Sequence, residues 1–96
     1  MTYNDLIEIL LSDDVYDKLK QNEEEVFLLL PELKICKGFA QNNDWHIYDV
    51  YEHILHVISE TEKNIYLRLS ALFHDIGKPY VYRLVYKQNI KKSILV

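Results

Sequence analysis

Glycine and proline are nearly missing from this chain, with two of each in 96 residues. A β-sandwich or barrel needs many tight turns, and those turns draw on glycine, asparagine and proline. A Rossmann or P-loop enzyme needs a glycine-rich phosphate loop. Gly38 and Gly77 stand alone, so both architectures are disfavoured and a helical domain remains. Cysteine is scarcer still. Cys36, the single cysteine, excludes an internal disulfide framework and a cysteine-cluster zinc site. No apolar run approaches the roughly 18 residues of a membrane span; the longest, Val26 to Pro31, is far shorter. The start, MTYNDLIEIL, carries no basic segment and no apolar signal core. The chain therefore reads as cytoplasmic, with no membrane partner.

What is present is globular. Hydrophobic residues make up 49% and charged residues 27%, which excludes disorder over the whole length. A chain of this size buries about 65% of the surface its unfolded form exposes, enough for one modest core. The expectation is a single domain over residues 1–96. The net charge of −4 hides a polarised sequence: residues 1–32 carry −7, residues 33–77 carry −2, and residues 78–96 carry +5 with no acid. An acidic first third disfavours that surface as a nucleic-acid face. The basic tail can meet phosphate, or pair with the acidic start of its own or another copy.

Hydrophobic periodicity places the helices. Thr2 to Ser12 reads as a short helix capped by Thr2, with Leu6, Ile9 and Leu10 at helical spacing. Ser12 can cap a second helix bearing Val15, Tyr16 and Leu19. Three glutamates precede the apolar run from Val26, where acids suit a helix start, and Pro31 interrupts or ends that helix. Residues 31–45 read as a connection holding about one helical turn. Two stronger helices follow. Asp49 to about Thr61 carries Val50, Ile54, Val57 and Ile58 on one side. Asn64 can cap the next, which runs to about Ile76 with Ile65, Leu69, Leu72, Phe73 and Ile76 in a stripe. Gly77 and Pro79 close it. From Tyr80 the chain reads as either strand or helix.

All four histidines lie between positions 46 and 74: His46, His53, His56 and His74, the last followed by Asp75. Histidine with carboxylate suits divalent cations such as Mn²⁺, Fe²⁺, Co²⁺, Ni²⁺ or Zn²⁺. If the two strong helices pack antiparallel, His53 faces His74 and Asp75 across the seam. A lone histidine on an apolar helix is nonetheless more often a packed residue than a ligand. The tyrosines, eight in all, could form an aromatic nucleic-acid platform, but Tyr48, Tyr51 and Tyr66 read better as core-edge residues with a hydrated hydroxyl. Cys36 reads as a buried, inert thiol.

The string Asp49-Val50-Tyr51-Glu52-His53-Ile54-Leu55-His56-Val57, followed by Leu72-Phe73-His74-Asp75-Ile76-Gly77-Lys78-Pro79, resembles the HD superfamily of metal-dependent phosphohydrolases. Leu30-Pro31-Glu32-Leu33 and His46-Ile47-Tyr48 narrow the resemblance to the HD domain of many bacterial tRNA nucleotidyltransferases and its free-standing relatives. It covers about residues 29–80, and leaves a non-matching basic tail at 81–96. The resemblance implies an all-α, HD-domain-like helical bundle. It implies a divalent metal ion (Mn, Mg, Fe, Co, Ni or Zn) held by His53, His74 and Asp75, with Asp75 bridging if two metals bind. Lys78 matches the lysine placed to contact a substrate phosphate, so the implied catalytic residues are Asp75 and Lys78. The implied reaction is hydrolysis of a phosphate ester, on a nucleotide or an RNA end, by a water whose pKa the metal lowers. His46 and His56 can contact substrate or a metal-bound water. Alternatively His46 fixes the turn into the helix and His56 lies on that helix's flank; for His56 the flank reading is the stronger.

The sequence departs from the family after Asp75. No aspartate, glutamate or histidine follows it, so the family's final, downstream carboxylate ligand has no counterpart. The expectation is a domain cut short after the signature, weak or inactive as a hydrolase, whose uncovered apolar helices drive homo-oligomerisation. The alternative is a non-catalytic helical module, RNA-binding or dimerising, that keeps the histidines without the chemistry.

Overall fold

The computed structural model describes residues 1–40 and 49–79. Six helices follow one another there: α1 (Tyr3–Leu10), α2 (Val15–Gln21), α3 (Glu23–Leu29), α4 (Pro31–Cys36), α5 (Val50–Glu60) and α6 (Ile65–His74). The all-α expectation holds. The β pairing among the described residues amounts to an isolated antiparallel bridge between Ala40 and Asp49. No described helix is long and apolar enough to cross a membrane. His46, Tyr48 and the tail from Tyr80 lie outside the described residues.

Side-chain caps set the starts of three helices. At α1 the Thr2 hydroxyl accepts from the Asp5 amide while the Asp5 carboxylate accepts from the Thr2 amide, a reciprocal box. Asp49 opens α5 by accepting from the Glu52 amide at 2.7 Å, and Asn64 opens α6 by accepting from Tyr66 and Leu67. Ser12 departs from expectation. Its hydroxyl donates back to the Ile9 carbonyl and so closes α1, because the turn through residues 11–14 leaves Asp14 as the residue before α2. Pro31 does both jobs in one step. It follows the last turn of α3 and takes the first position of α4, where its fixed φ and missing N–H cost nothing. The expected single turn is thus a six-residue helix.

Gly38 ends α4 with φ +78, the left-handed conformation that glycine adopts without a Cβ penalty. Its amide donates to Asp49 at 2.6 Å, so the two oxygens of Asp49 tie the end of α4 to the start of α5. The Val50 amide adds a bond to the Phe39 carbonyl at 2.9 Å.

Helix α5 is the centre of the domain and packs against α2, α4 and α6, while α1 packs on α2 and α6. Its inner face, Val50, Tyr51, Ile54, Leu55 and Ile58, is buried throughout. Tyr51 is a core residue rather than a core-edge one. Burial, with the Glu23 carboxylate nearby, pushes its phenol well above the usual range. Tyr66 lies in the other direction, out on the surface. Helix α6 is thinner inside than its apolar stripe predicts: Ala71 and Leu72 are buried, but Phe73 is half exposed. Of the uncovered apolar faces expected on the 49–61 and 64–76 helices, the first is covered among the described residues, where α1, α2 and α4 contribute Leu10, Leu19, Leu33 and Cys36 to the same core, whereas on α6 Tyr66, Leu67 and Phe73 stay exposed.

Candidate functional site

The site lies where α6 stops. Asp75 is the residue that ends the helix, and its backbone turns so that the Lys78 amide donates to the Asp75 carbonyl at 3.0 Å. That turn returns the Lys78 side chain to the aspartate, with Nζ 3.2 Å from Oδ1. The other oxygen, Oδ2, lies 3.0 Å from Nε2 of His53 on α5. His74 Nε2 stands 3.8 Å from Oδ1. Asp75 is nearly buried, at 6% exposure, and its two closest partners, His53 and Lys78, have side chains 22% and 23% exposed. The His74 side chain is 81% exposed. The structure thus brings together His53, Asp75 and Lys78, residues 22 to 25 positions apart at the extremes, and leaves His74 at the rim.

Floor and wall come from the core. The Cys36 thiol donates weakly to the Ile76 carbonyl at 3.5 Å, pinning the turn after α6 onto α4. Cys36 is fully buried, and desolvation first, then Asp49 and Asp75, pushes its thiol up to about 11. It is inert, as the sequence suggests.

The donor set suits a divalent cation in its chemistry, two imidazoles and a carboxylate. Neighbouring ligand atoms around an octahedral ion with bonds of about 2.1 Å stand roughly 3.0 Å apart. The 3.0 Å between His53 Nε2 and Asp75 Oδ2 matches that edge. As the side chains stand, no group of three or more His, Cys, Asp or Glu among the described residues is assembled to hold a metal ion. To bring His74 to the same point as His53 and Asp75, its side chain would have to turn inward from the rim, and the Lys78 ammonium would have to yield part of its hold on Oδ1.

His56 lies on the flank of α5. Its ring packs on Tyr16 with centroids 5.0 Å apart, and its Nε2 is 4.0 Å from Glu52. Glu52 is the residue that sequence reasoning missed here. It accepts from the Tyr16 hydroxyl at 2.7 Å and from the Lys20 ammonium, joining α5 to α2. Burial opposes its ionisation, but the hydrogen bonds from Lys20 and Tyr16 outweigh that and hold its carboxyl below the ordinary value of 4.5. The overlooked signal was the spacing. Glu52 follows the cap Asp49 by three residues, and its side chain bonds across to α2 instead of back to the cap.

Arg68 was missed as well. It is 5% exposed, and its guanidinium donates to the carbonyls of Leu10, Ser12 and Thr61. Its position between Ile65 and Leu72, three and four residues away, puts it on the buried face of α6.

No protein-family model matches the chain, and no curated protein or solved structure matches it. The HD resemblance stands on its motif residues.

Proposed function

We propose that this chain is an HD-type phosphohydrolase domain whose working centre is Asp75, with His53 and His74 as the further cation donors and Lys78 as the phosphate contact. The observation that carries the reading is the convergence at Asp75. An imidazole from α5 and an ammonium from the turn after α6 meet opposite oxygens of one buried carboxylate, at 3.0 and 3.2 Å. A divalent cation held there supplies Lewis acidity and lowers the pKa of water. Asp75 and His53 fix the cation's place against the core, and the Lys78 ammonium, partly exposed, offers a donor to a phosphate oxygen at the mouth. Nucleotide or RNA phosphate esters are the substrate class. With three strong donors in the sequence, turnover is weak or absent in this chain.

A titration with Mn²⁺, followed by hydrolysis of bis(p-nitrophenyl) phosphate, tests it. The chain should bind Mn²⁺, and Asp75→Asn should abolish binding and any hydrolysis. Binding that survives Asp75→Asn, or no binding at all, defeats the proposal.

A second reading has its own observation. Both oxygens of Asp75 already have partners within the chain, which suits a closed polar latch that fastens the turn after α6 to α5. On that reading the chain is a non-catalytic helical module, RNA-binding or self-associating. It requires Asp75→Asn to change stability while cations change nothing.

A further inference from the structure

The turn after α6 has a fixed backbone and one side chain able to swing. On one side of Lys78 the Ile76 carbonyl accepts from the Cys36 thiol, and on the other Pro79 is fully buried. The Lys78 amide is itself tied to the Asp75 carbonyl at 3.0 Å. The Asp75 carboxylate is held in place, with its side chain 8% exposed and its Oδ2 against His53. The Lys78 side chain is 23% exposed. Its flexible four-carbon stem lets the ammonium leave Oδ1 by side-chain rotation, with no movement of the backbone.

That contact bears directly on cation binding. A cation on the edge between His53 Nε2 and Asp75 Oδ2 shares one carboxylate with the ammonium on Oδ1. Two positive charges so close to each other repel, and at a largely buried carboxylate water and salt screen them little. A phosphate anion at the mouth changes the balance. It offers the ammonium a charge-assisted hydrogen bond and draws it off Oδ1, which leaves the carboxylate's charge to the cation.

We propose that Lys78 is an anion-released lock on Asp75, so that cation and phosphate bind this chain cooperatively. The inference rests on the phosphohydrolase reading and adds a rule of regulation to that site. Without a phosphate, the ammonium on Oδ1 lowers the affinity for a cation. A phosphate ester that takes the ammonium raises it, and by linkage the cation raises the affinity for the phosphate by the same factor. The attraction of a bound anion for a bound cation does not need Lys78, whereas release of the lock does, and the two are separable at that residue.

The test is a Mn²⁺ titration of the full chain at constant ionic strength, with free Mn²⁺ read by electron paramagnetic resonance. It is run with and without dimethyl phosphate, a phosphodiester anion. The anion should tighten Mn²⁺ binding by the parent at least about fivefold. Lys78→Met, without the anion, should bind Mn²⁺ at least about threefold more tightly than the parent. In that variant the anion effect should shrink to under about twofold. Lys34→Met removes the same charge from an exposed position on α4 and should match the parent in both measurements. The parent titrations need no variant, and an anion effect under about twofold there overturns the proposal. So does Lys78→Met binding no more tightly than the parent or keeping the full anion effect, and so does equal tightening in Lys34→Met. In each of these cases, Mn²⁺ binding that still requires Asp75 leaves the phosphohydrolase reading standing. Mn²⁺ bound by neither the parent nor Lys78→Met, with the anion present, overturns both.

Discussion

The two ends of α6 each bury one charged side chain, and they satisfy it in opposite ways. At the start, Arg68 gives its guanidinium to backbone carbonyls: Leu10 at 2.6 Å, Ser12 at 2.9 Å, and Thr61 at 3.1 and 3.2 Å. These acceptors lie at and just beyond the C-terminal ends of α1 and α5, where helices leave carbonyls unpaired and their dipoles favour a cation. At the other end, Asp75 is met by the side chains His53, Lys78 and His74. Backbone acceptors cannot leave without unravelling the helices that own them. Side-chain partners can rotate away and give their place to a ligand. A buried charge satisfied by main chain is thus a fastening, and one satisfied by mobile side chains is a candidate for chemistry.

The largest effect that can break this comparison belongs to Arg68. Replacing it by Met keeps the stem in the core but strands several carbonyls at once. Each buried orphan costs about 1–3 kcal/mol, so Arg68→Met should lower stability by about 3 kcal/mol or more in a urea titration. Lysine should recover only part, because an ammonium cannot span acceptors on α1 and α5 together. A loss under about 1 kcal/mol would mean that water reaches those carbonyls and that the fastening is not one.

Asp75→Asn comes next. The amide keeps an acceptor for His53 but loses the charge that holds Lys78, so the expected cost is about 1–2 kcal/mol, with the Mn²⁺ response gone. A cost equal to that of Arg68→Met would make both ends of α6 structural and remove the contrast.

Sequence reading was strongest where the determining partner is close in the chain. Thr2 and Asn64 are caps because the amides they accept from lie two or three residues ahead. The pairing of His53 with Asp75 is legible through the motif, although its distance had to come from the fold. Arg68 was illegible in role, since its acceptors at Leu10 and Ser12 lie 58 and 56 residues away. Ser12 failed for a local reason. A serine between two helices can bond forward or back, and the carbonyl of Ile9 won. Phe73 failed because a stripe of five apolar positions is wider than the strip of α6 that α1 and α5 cover.

Glu52 sharpens the comparison by about 1 kcal/mol and through pH. Its folded carboxyl titrates below 4.5 because Lys20 and Tyr16 outweigh burial. A depressed carboxyl contributes stability that is complete above its unfolded value and disappears as pH falls through the folded one. Stability should therefore drop from about pH 5 downward, and Glu52→Gln should flatten that limb in urea titrations at pH 3 to 7. Glu23, lowered in the same direction by Lys37 and Tyr51 against its burial, keeps part of the slope in the variant. An unchanged limb would show that the α2–α5 tie is solvated.

The smallest expected change in stability is the most discriminating about function. The His74 side chain is 81% exposed, and its ionic partner among the described residues is Asp75 at 3.8 Å. Substitutions at such positions usually fall within about ±0.5 kcal/mol, so His74→Ala should unfold at the same urea concentration as the parent. A residue that contributes nothing to folding can still supply one donor to a cation, and losing one of three should weaken Mn²⁺ binding at least tenfold. Stability unchanged with affinity reduced would place His74 wholly on the chemical side of the comparison. Unchanged affinity, with Asp75→Asn still abolishing binding, would confine the cation to the 3.0 Å edge between His53 and Asp75. A fall in stability would instead mean that the rim residue is part of the latch, and that the C-terminal end of α6 is fastened as its start is.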